Sequence, residues 1–185
     1  IYDWEAMDKD GYKWWIERLR ESFKIYDIVR IDHFRGFESY WEIPAGSDTA
    51  APGEWVKGPG YKLFAAVKEE LGELNIIAED LGFMTDEVIE LRERTGFPGM
   101  KILQFAFNPE DESIDSPHLA PANSVMYTGT HDNNTVLGWY RNEIDDATRE
   151  YMARYTNRKE YETVLCFVQS FHQLASWQLQ LCKIC

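Results

Sequence analysis

Three acids stand where an apolar run gives way to charge. In DIVRIDHFRGF (residues 27–37) Asp32 follows Ile28, Val29 and Ile31. Glu79 follows the run NIIA at 75–78, and Asp132 lies just beyond SVMYT at 124–128, inside GTHDNN. If these runs are parallel strands of an α/β fold, their C-terminal ends open on one face. Acids 47 (79 − 32) and 53 (132 − 79) positions apart then meet in space. Carboxylates gathered in one place raise one another's pKa values, a cost that glycoside chemistry uses. One carboxylate attacks the anomeric carbon, and a second carboxyl delivers a proton to the leaving oxygen. From the spacing alone two other readings stand beside this one. Each acid is a plain helix N-cap, or the three together hold Mg²⁺ or Ca²⁺.

The elements that must position these acids are legible in outline. Tyr12, Trp15, Ile16, Leu19 and Phe23 recur at helical spacing over residues 10–24. A strand over 27–31 follows, and residues 38–60, with Pro and Gly at intervals, read as a long loop. Leu63, Phe64, Val67 and Leu71 line one face of a second helix that stops at Gly72. After the strand at 75–78, Thr85 caps a helix whose first turn carries Asp86 and Glu87, and Gly96 and Pro98 close it. KILQFAF (101–107) and SVMYT read as further strands, and residues 145–156 as a helix. Alternation of this kind, with unbroken apolar strands, predicts a parallel sheet covered by helices: either an open doubly wound sheet or part of a (β/α)8 barrel. The dinucleotide fingerprint G-x-G-x-x-G is absent, which removes the main argument for a Rossmann domain.

Bulk properties bound the function further. The 185 residues are 44% apolar and 15% aromatic, which is enough to build a core. A net charge of −13 argues against a nucleic-acid partner, since phosphate recognition needs clustered Lys and Arg. No apolar run approaches the roughly 20 residues that span a bilayer, so no membrane association is expected. Cys166, Cys182 and Cys185 crowd one end in an odd number, which makes neither a disulfide framework nor a four-ligand zinc site. A reduced, cytoplasmic setting is the expectation.

The local strings are more specific than the spacing. RIDHFRG (30–36), AEDLG (78–82) and THDN (130–133) resemble, in order and spacing, the three catalytic segments of the 4-α-glucanotransferases, the amylomaltase or disproportionating-enzyme family. YWEIPAG (40–46), WVKGPG (55–60), GFPGMKILQFAF (96–107), YTGTHDNNTVLGWY (127–140) and MARYTNR (152–158) continue the likeness to about residue 164. The resemblance implies an α/β fold that is part of a (β/α)8 barrel, roughly strands four to seven with their helices. It also implies an enzyme that moves α-1,4-glucan segments from a malto-oligosaccharide donor to a sugar acceptor, without metal or organic cofactor.

By the same resemblance Asp32 is the nucleophile on the fourth strand and Glu79 the general acid/base on the fifth. Asp132 is the carboxylate that grips the hydroxyls of the distorted sugar. Arg30 is similar to the arginine that the family pairs with its nucleophile, and it lies on the same side of the strand as Asp32. His131 resembles a histidine that hydrogen-bonds that sugar, and Phe105 an aromatic on the acceptor side. His33 and Arg35 read as stabilisers of the loop after the strand. Trp41 and Trp55 are either buried or stacking platforms, and Trp14, Trp15 and Trp139 are packing residues.

Two departures qualify the likeness. Family members are much longer, so residues 1–164 correspond to the central part of the barrel. An alternative reading is therefore a glucan-binding but inactive fragment. After Val164 the likeness stops, and residues 165–185 read as a frameshifted, non-native tail: translated two bases later, permitted codons give a family-like segment.

Overall fold

The computed structural model describes residues 2–157. The chain divides into two compact units, Ile1–Gly99 and Met100–Cys185. The expected change of character after Val164, and all three cysteines, lie outside the described residues.

In the first unit a short helix, α1 (Trp4–Lys9), precedes α2 (Lys13–Phe23). The periodicity predicts one helix from residue 10. Instead Gly11 and Tyr12 both take positive φ (72° and 58°), which ends α1 and restarts the chain at Lys13. α2 buries Trp15, Ile16 and Leu19, the stripe that its spacing marks. Strand β1 (Val29–Ile31) follows, then a 3₁₀ turn at Phe34–Phe37. The segment expected to be a loop instead folds into a hairpin of β2 (Ser39–Glu42) and β3 (Glu54–Lys57), antiparallel, with Trp41 opposite Trp55. Pro44, Gly46, Pro52 and Gly53 lie in its connection, and Gly58, Pro59 and Gly60 follow its second strand. Helix α3 (Tyr61–Leu71), strand β4 (Ile76–Ala78) and helix α4 (Asp86–Thr95) complete the unit.

β1 and β4 pair in parallel, with Val29 opposite Ile76, Arg30 opposite Ile77 and Ile31 opposite Ala78. β4 is apolar and buried along its whole length, whereas β1 carries Arg30 between Val29 and Ile31 and is buried only at Ile31. An aromatic cluster holds the end of β1. Phe34, fully buried, packs on Phe64 (ring centroids 5.4 Å), Phe37 (6.0 Å) and Phe97 (6.4 Å). The hairpin is docked by backbone alone at Gly58, whose N–H donates to the Glu38 carbonyl at 2.8 Å. A Cβ there would come within 2.4 Å of the Phe37 carbonyl oxygen, so only glycine fits.

Near the chain's start, the Tyr12 hydroxyl donates to Asp8 Oδ1 at 3.1 Å, and Lys62 Nζ reaches Asp8 Oδ2 at 3.2 Å. Burial, reinforced by the bond to Asp8, pushes the Tyr12 phenol up to about 12. A phenol whose folded-state pKa lies above its unfolded value near 10 stabilises the fold fully below pH 10, and that contribution is lost as pH rises towards 12. Denaturant midpoints should therefore fall between pH 10 and 12 by more in the unsubstituted protein than in Tyr12→Phe. Parallel curves for the two proteins would contradict this assignment.

β5 (Gly99–Ile102), which starts at the last residue of the first unit, pairs with β6 (Ser124–Tyr127) in the second. The predicted strand over 101–107 stops at Ile102, where the chain enters a 3₁₀ turn, Leu103–Phe105. Asp115 Oδ1 accepts the Ile102 N–H at 2.9 Å, and Ser116 Oγ donates to the Ala106 carbonyl at 3.2 Å, so these groups are satisfied outside a strand ladder. Leu103, Ala106 and Phe107 enter a core with Trp139, Tyr140 and Met152. Helix α5 (Val136–Asn142) is capped by Thr135, which accepts from the Gly138 N–H, and α6 (Asp146–Thr156) by Asp145, which accepts from the Thr148 N–H. α6 matches the expected helix, whereas the seven-residue α5 is too short for periodicity to reveal. Trp15 and Trp139 are packing residues as expected, but Trp14 is 48% exposed.

Candidate active site

In the first unit the parallel register continues one step past the strands. The Glu79 N–H donates to the Ile31 carbonyl at 2.9 Å, and the Phe34 N–H donates to the Glu79 carbonyl at 3.0 Å. Asp32 and Glu79 thus leave neighbouring strands at the same level, and neighbouring strands run about 4.8 Å apart. Arg30, two residues before Asp32, sends its guanidinium to Asp32 Oδ1 at 3.0 Å. Asp32 remains exposed, so a carboxylate already oriented by an arginine is open to solvent. A cavity of about 470 Å³ adjoins the pair and includes Arg30, Asp32 and His33 in its lining together with Trp15, Ile31 and Phe37. That volume lies in the range of small-ligand sites.

Glu79 is held differently. Its Oε2 accepts the backbone N–H of His33 at 2.6 Å, and its Oε1 accepts the N–H of Leu81 at 2.8 Å. Both oxygens are fixed by main chain, and the side chain is only partly exposed. Neither contact is legible in the sequence, because a backbone N–H leaves no mark in the residue types.

Asp80, next in the chain, has its side chain only 8% exposed and ion-paired to Arg92 Nε at 3.1 Å. Its carboxylate fills the space beside Gly99, where a Cβ would lie 2.3 Å from Oδ2. This pair braces the turn after β4. Arg35, read as a loop stabiliser, is one: it is buried, its Nη1 donates to the Phe83 carbonyl at 2.5 Å, and its guanidinium lies 4.4 Å from the centre of the Trp55 ring. Trp41 and Trp55 are not buried, at 41% and 54% exposure. Their rings meet edge-on at 5.5 Å across the hairpin, a cross-strand pair that stabilises it.

In the second unit a hydrogen-bonded turn presents His131 and Asp132. Asn133 Oδ1 accepts both the N–H and the hydroxyl of Thr130, at 2.8 and 3.0 Å. The Thr130 hydroxyl oxygen accepts the Asp132 N–H at 3.2 Å. Below it Gln104 Nε2 donates to the Asn134 carbonyl at 2.9 Å. The polar string GTHDNN is therefore largely self-supporting, which leaves the side chains of His131 and Asp132 exposed, 3.5 Å apart at Nε2 and Oδ2. Phe105 projects from its 3₁₀ turn with 48% of its surface exposed, while its neighbours Gln104 and Ala106 are buried. Among the described residues no group of three or more His, Cys, Asp or Glu side chains is arranged to hold a metal ion.

The sequence-expected residues thus assemble as Arg30, Asp32 and Glu79 in one unit and as His131 and Asp132 in the other, where Phe105 also lies. Comparison with known proteins bears on what they do. A family model described as 4-alpha-glucanotransferase matches residues 1–181. A 4-alpha-glucanotransferase of Streptococcus pneumoniae is 99% identical over 165 residues, which is 89% of this chain and 33% of that protein. One from Thermus thermophilus is 52% identical over 157 residues, 84% of this chain and 31% of that protein. A solved structure of amylomaltase from Streptococcus agalactiae in complex with acarbose superposes with a TM-score of 0.83 at 44% identity, over 89% of this chain and 34% of that one. The chain therefore spans about a third of the length of the curated relatives it matches.

Proposed function

This chain belongs to the 4-alpha-glucanotransferase family, and on that footing we propose that it forms the reaction centre of a retaining α-1,4-glucan transferase. The observation that carries the reading is the pair of acids at one level of neighbouring parallel strands, one bound by arginine and the other by main chain. We read the strands as the fourth to seventh of a (β/α)8 barrel.

In this mechanism Asp32 attacks the anomeric carbon of a malto-oligosaccharide as Glu79 gives a proton to the departing glycosidic oxygen. The product is a glucan joined to Asp32 through an ester. Glu79, now a carboxylate, takes the proton from the 4-hydroxyl of an acceptor sugar, whose oxygen displaces Asp32. Asp132 and His131 bind hydroxyls of the donor sugar, and Phe105 borders the acceptor. Both oxygens of Glu79 accept N–H bonds, so its orientation is set before substrate arrives and little reorganisation is needed at the reacting bond.

The test uses this chain within a protein of its relatives' length. Maltotriose should give glucose together with longer malto-oligosaccharides, all retaining the α-configuration, with the two carboxyl groups roughly 5–5.5 Å apart. Products of β-configuration, or a carboxyl separation near 9 Å, would overturn the mechanism. Binding of maltotriose without turnover would favour the inactive glucan-binding alternative.

A further inference from the structure

The main-chain clamp on Glu79 depends on one residue in an unusual conformation. His33 has φ 49° and ψ 50°, the left-handed region, which residues with a Cβ seldom occupy. Its own N–H meets Glu79 Oε2, and the N–H of Phe34, which opens the 3₁₀ turn, meets the Glu79 carbonyl oxygen. A left-handed residue followed by a right-handed one aims successive N–H groups into one concavity, the arrangement that binds anions elsewhere. Here the concavity is filled by Glu79. Phe34 is fixed by the aromatic cluster, so strain at His33 cannot relax by moving the turn. The imidazole, by contrast, is exposed.

We propose that His33 is a positioning residue for proton transfer, acting through its backbone and not its imidazole. Its left-handed conformation turns its own N–H and that of Phe34 towards Glu79, so that the His33 N–H, with that of Leu81, fixes the plane of the Glu79 carboxyl. This rests on the reading of Glu79 as the acid/base. A clamp at both oxygens sets which lone-pair direction remains for the transferred proton. Loosening one side lets the carboxyl rotate, and misplacement on the ångström scale is enough to slow a reaction strongly.

The decisive comparison is among H33G, H33N and H33V in the protein of full relative length. Gly and Asn tolerate left-handed backbone and both lack the imidazole, whereas β-branched Val resists that conformation. With maltotriose, kcat of H33V should fall about tenfold or more below both H33G and H33N, with KM of the three within about threefold. With α-glucosyl fluoride, whose leaving group needs little proton assistance, glycosyl-enzyme should form at similar rates in all three. Equal kcat in H33V and H33G, or equal losses in H33G and H33N that track the missing ring, would overturn the proposal. Slow loading of H33V with the fluoride would also overturn it, since that marks a general distortion. If H33V does not fold, as judged by circular dichroism, H33A takes its place in the same comparison. Should the unsubstituted protein neither turn over maltotriose nor load the fluoride, the functional reading fails, and this inference with it.

Discussion

Asp32→Ala should abolish glycosyl transfer, with kcat down on the order of 10⁴-fold or more, the scale seen when a covalent nucleophile is removed. No covalent adduct should form with any donor. Glu79→Ala should also fail on maltotriose, but for a different reason. It keeps the nucleophile and loses only the proton, so α-glucosyl fluoride should still load it, and the adduct should persist because no base remains to activate an acceptor. Mass spectrometry of both variants after exposure to the fluoride separates the roles. The basis is geometric: Asp32 carries its arginine and faces solvent, while Glu79 has both oxygens tied to main chain. An adduct on the Asp32 variant, or one attached to Glu79, would reverse the assignment.

Phe34→Ala should cost about 3–5 kcal/mol of stability, the range for removing a large buried aromatic. Phe34 has no exposed surface, and its ring touches Phe37, Phe64 and Phe97, which come from the same turn, from α3 and from beyond α4. The cavity left behind cannot collapse easily, because these partners are held by separate elements. The loss also frees the turn that carries His33, so activity should fall at temperatures where the variant is still folded. Urea unfolding followed by aromatic fluorescence gives the first quantity, and initial rates well below the midpoint give the second. A loss under 1 kcal/mol would show that the cluster repacks, and the role given to it here would be wrong.

α3 was legible because Leu63, Phe64 and Val67 mark one face and Gly72 marks the stop, and both are local signals. Asp32 and Glu79 were legible because an apolar run that ends in charge says where a strand leaves the core. The hairpin at Ser39–Lys57 was not, since its strands are four residues each and its ladder pairs residues far apart. The strand expected to run on to Phe107 ended at Ile102 because Asp115, 13 residues away, takes the N–H there. Trp14 and Trp15 are chemically identical, yet one is exposed and the other buried, a difference of one step around a helix.

The order of residues carries the inventory: which acids, which cation beside the first of them, which apolar stripes and which family likeness. These are properties of side-chain type and short spacing. The folded chain alone reveals that β1 and β4 pair in the register that sets Asp32 level with Glu79. Only it showed that the Glu79 carboxyl is gripped by the N–H groups of His33 and Leu81. The physical reason is that every residue but proline carries the same N–H. Its direction depends on the φ and ψ of the surrounding backbone, and at His33 that backbone is left-handed and leads directly into the buried Phe34, a placement that residue type alone does not reveal.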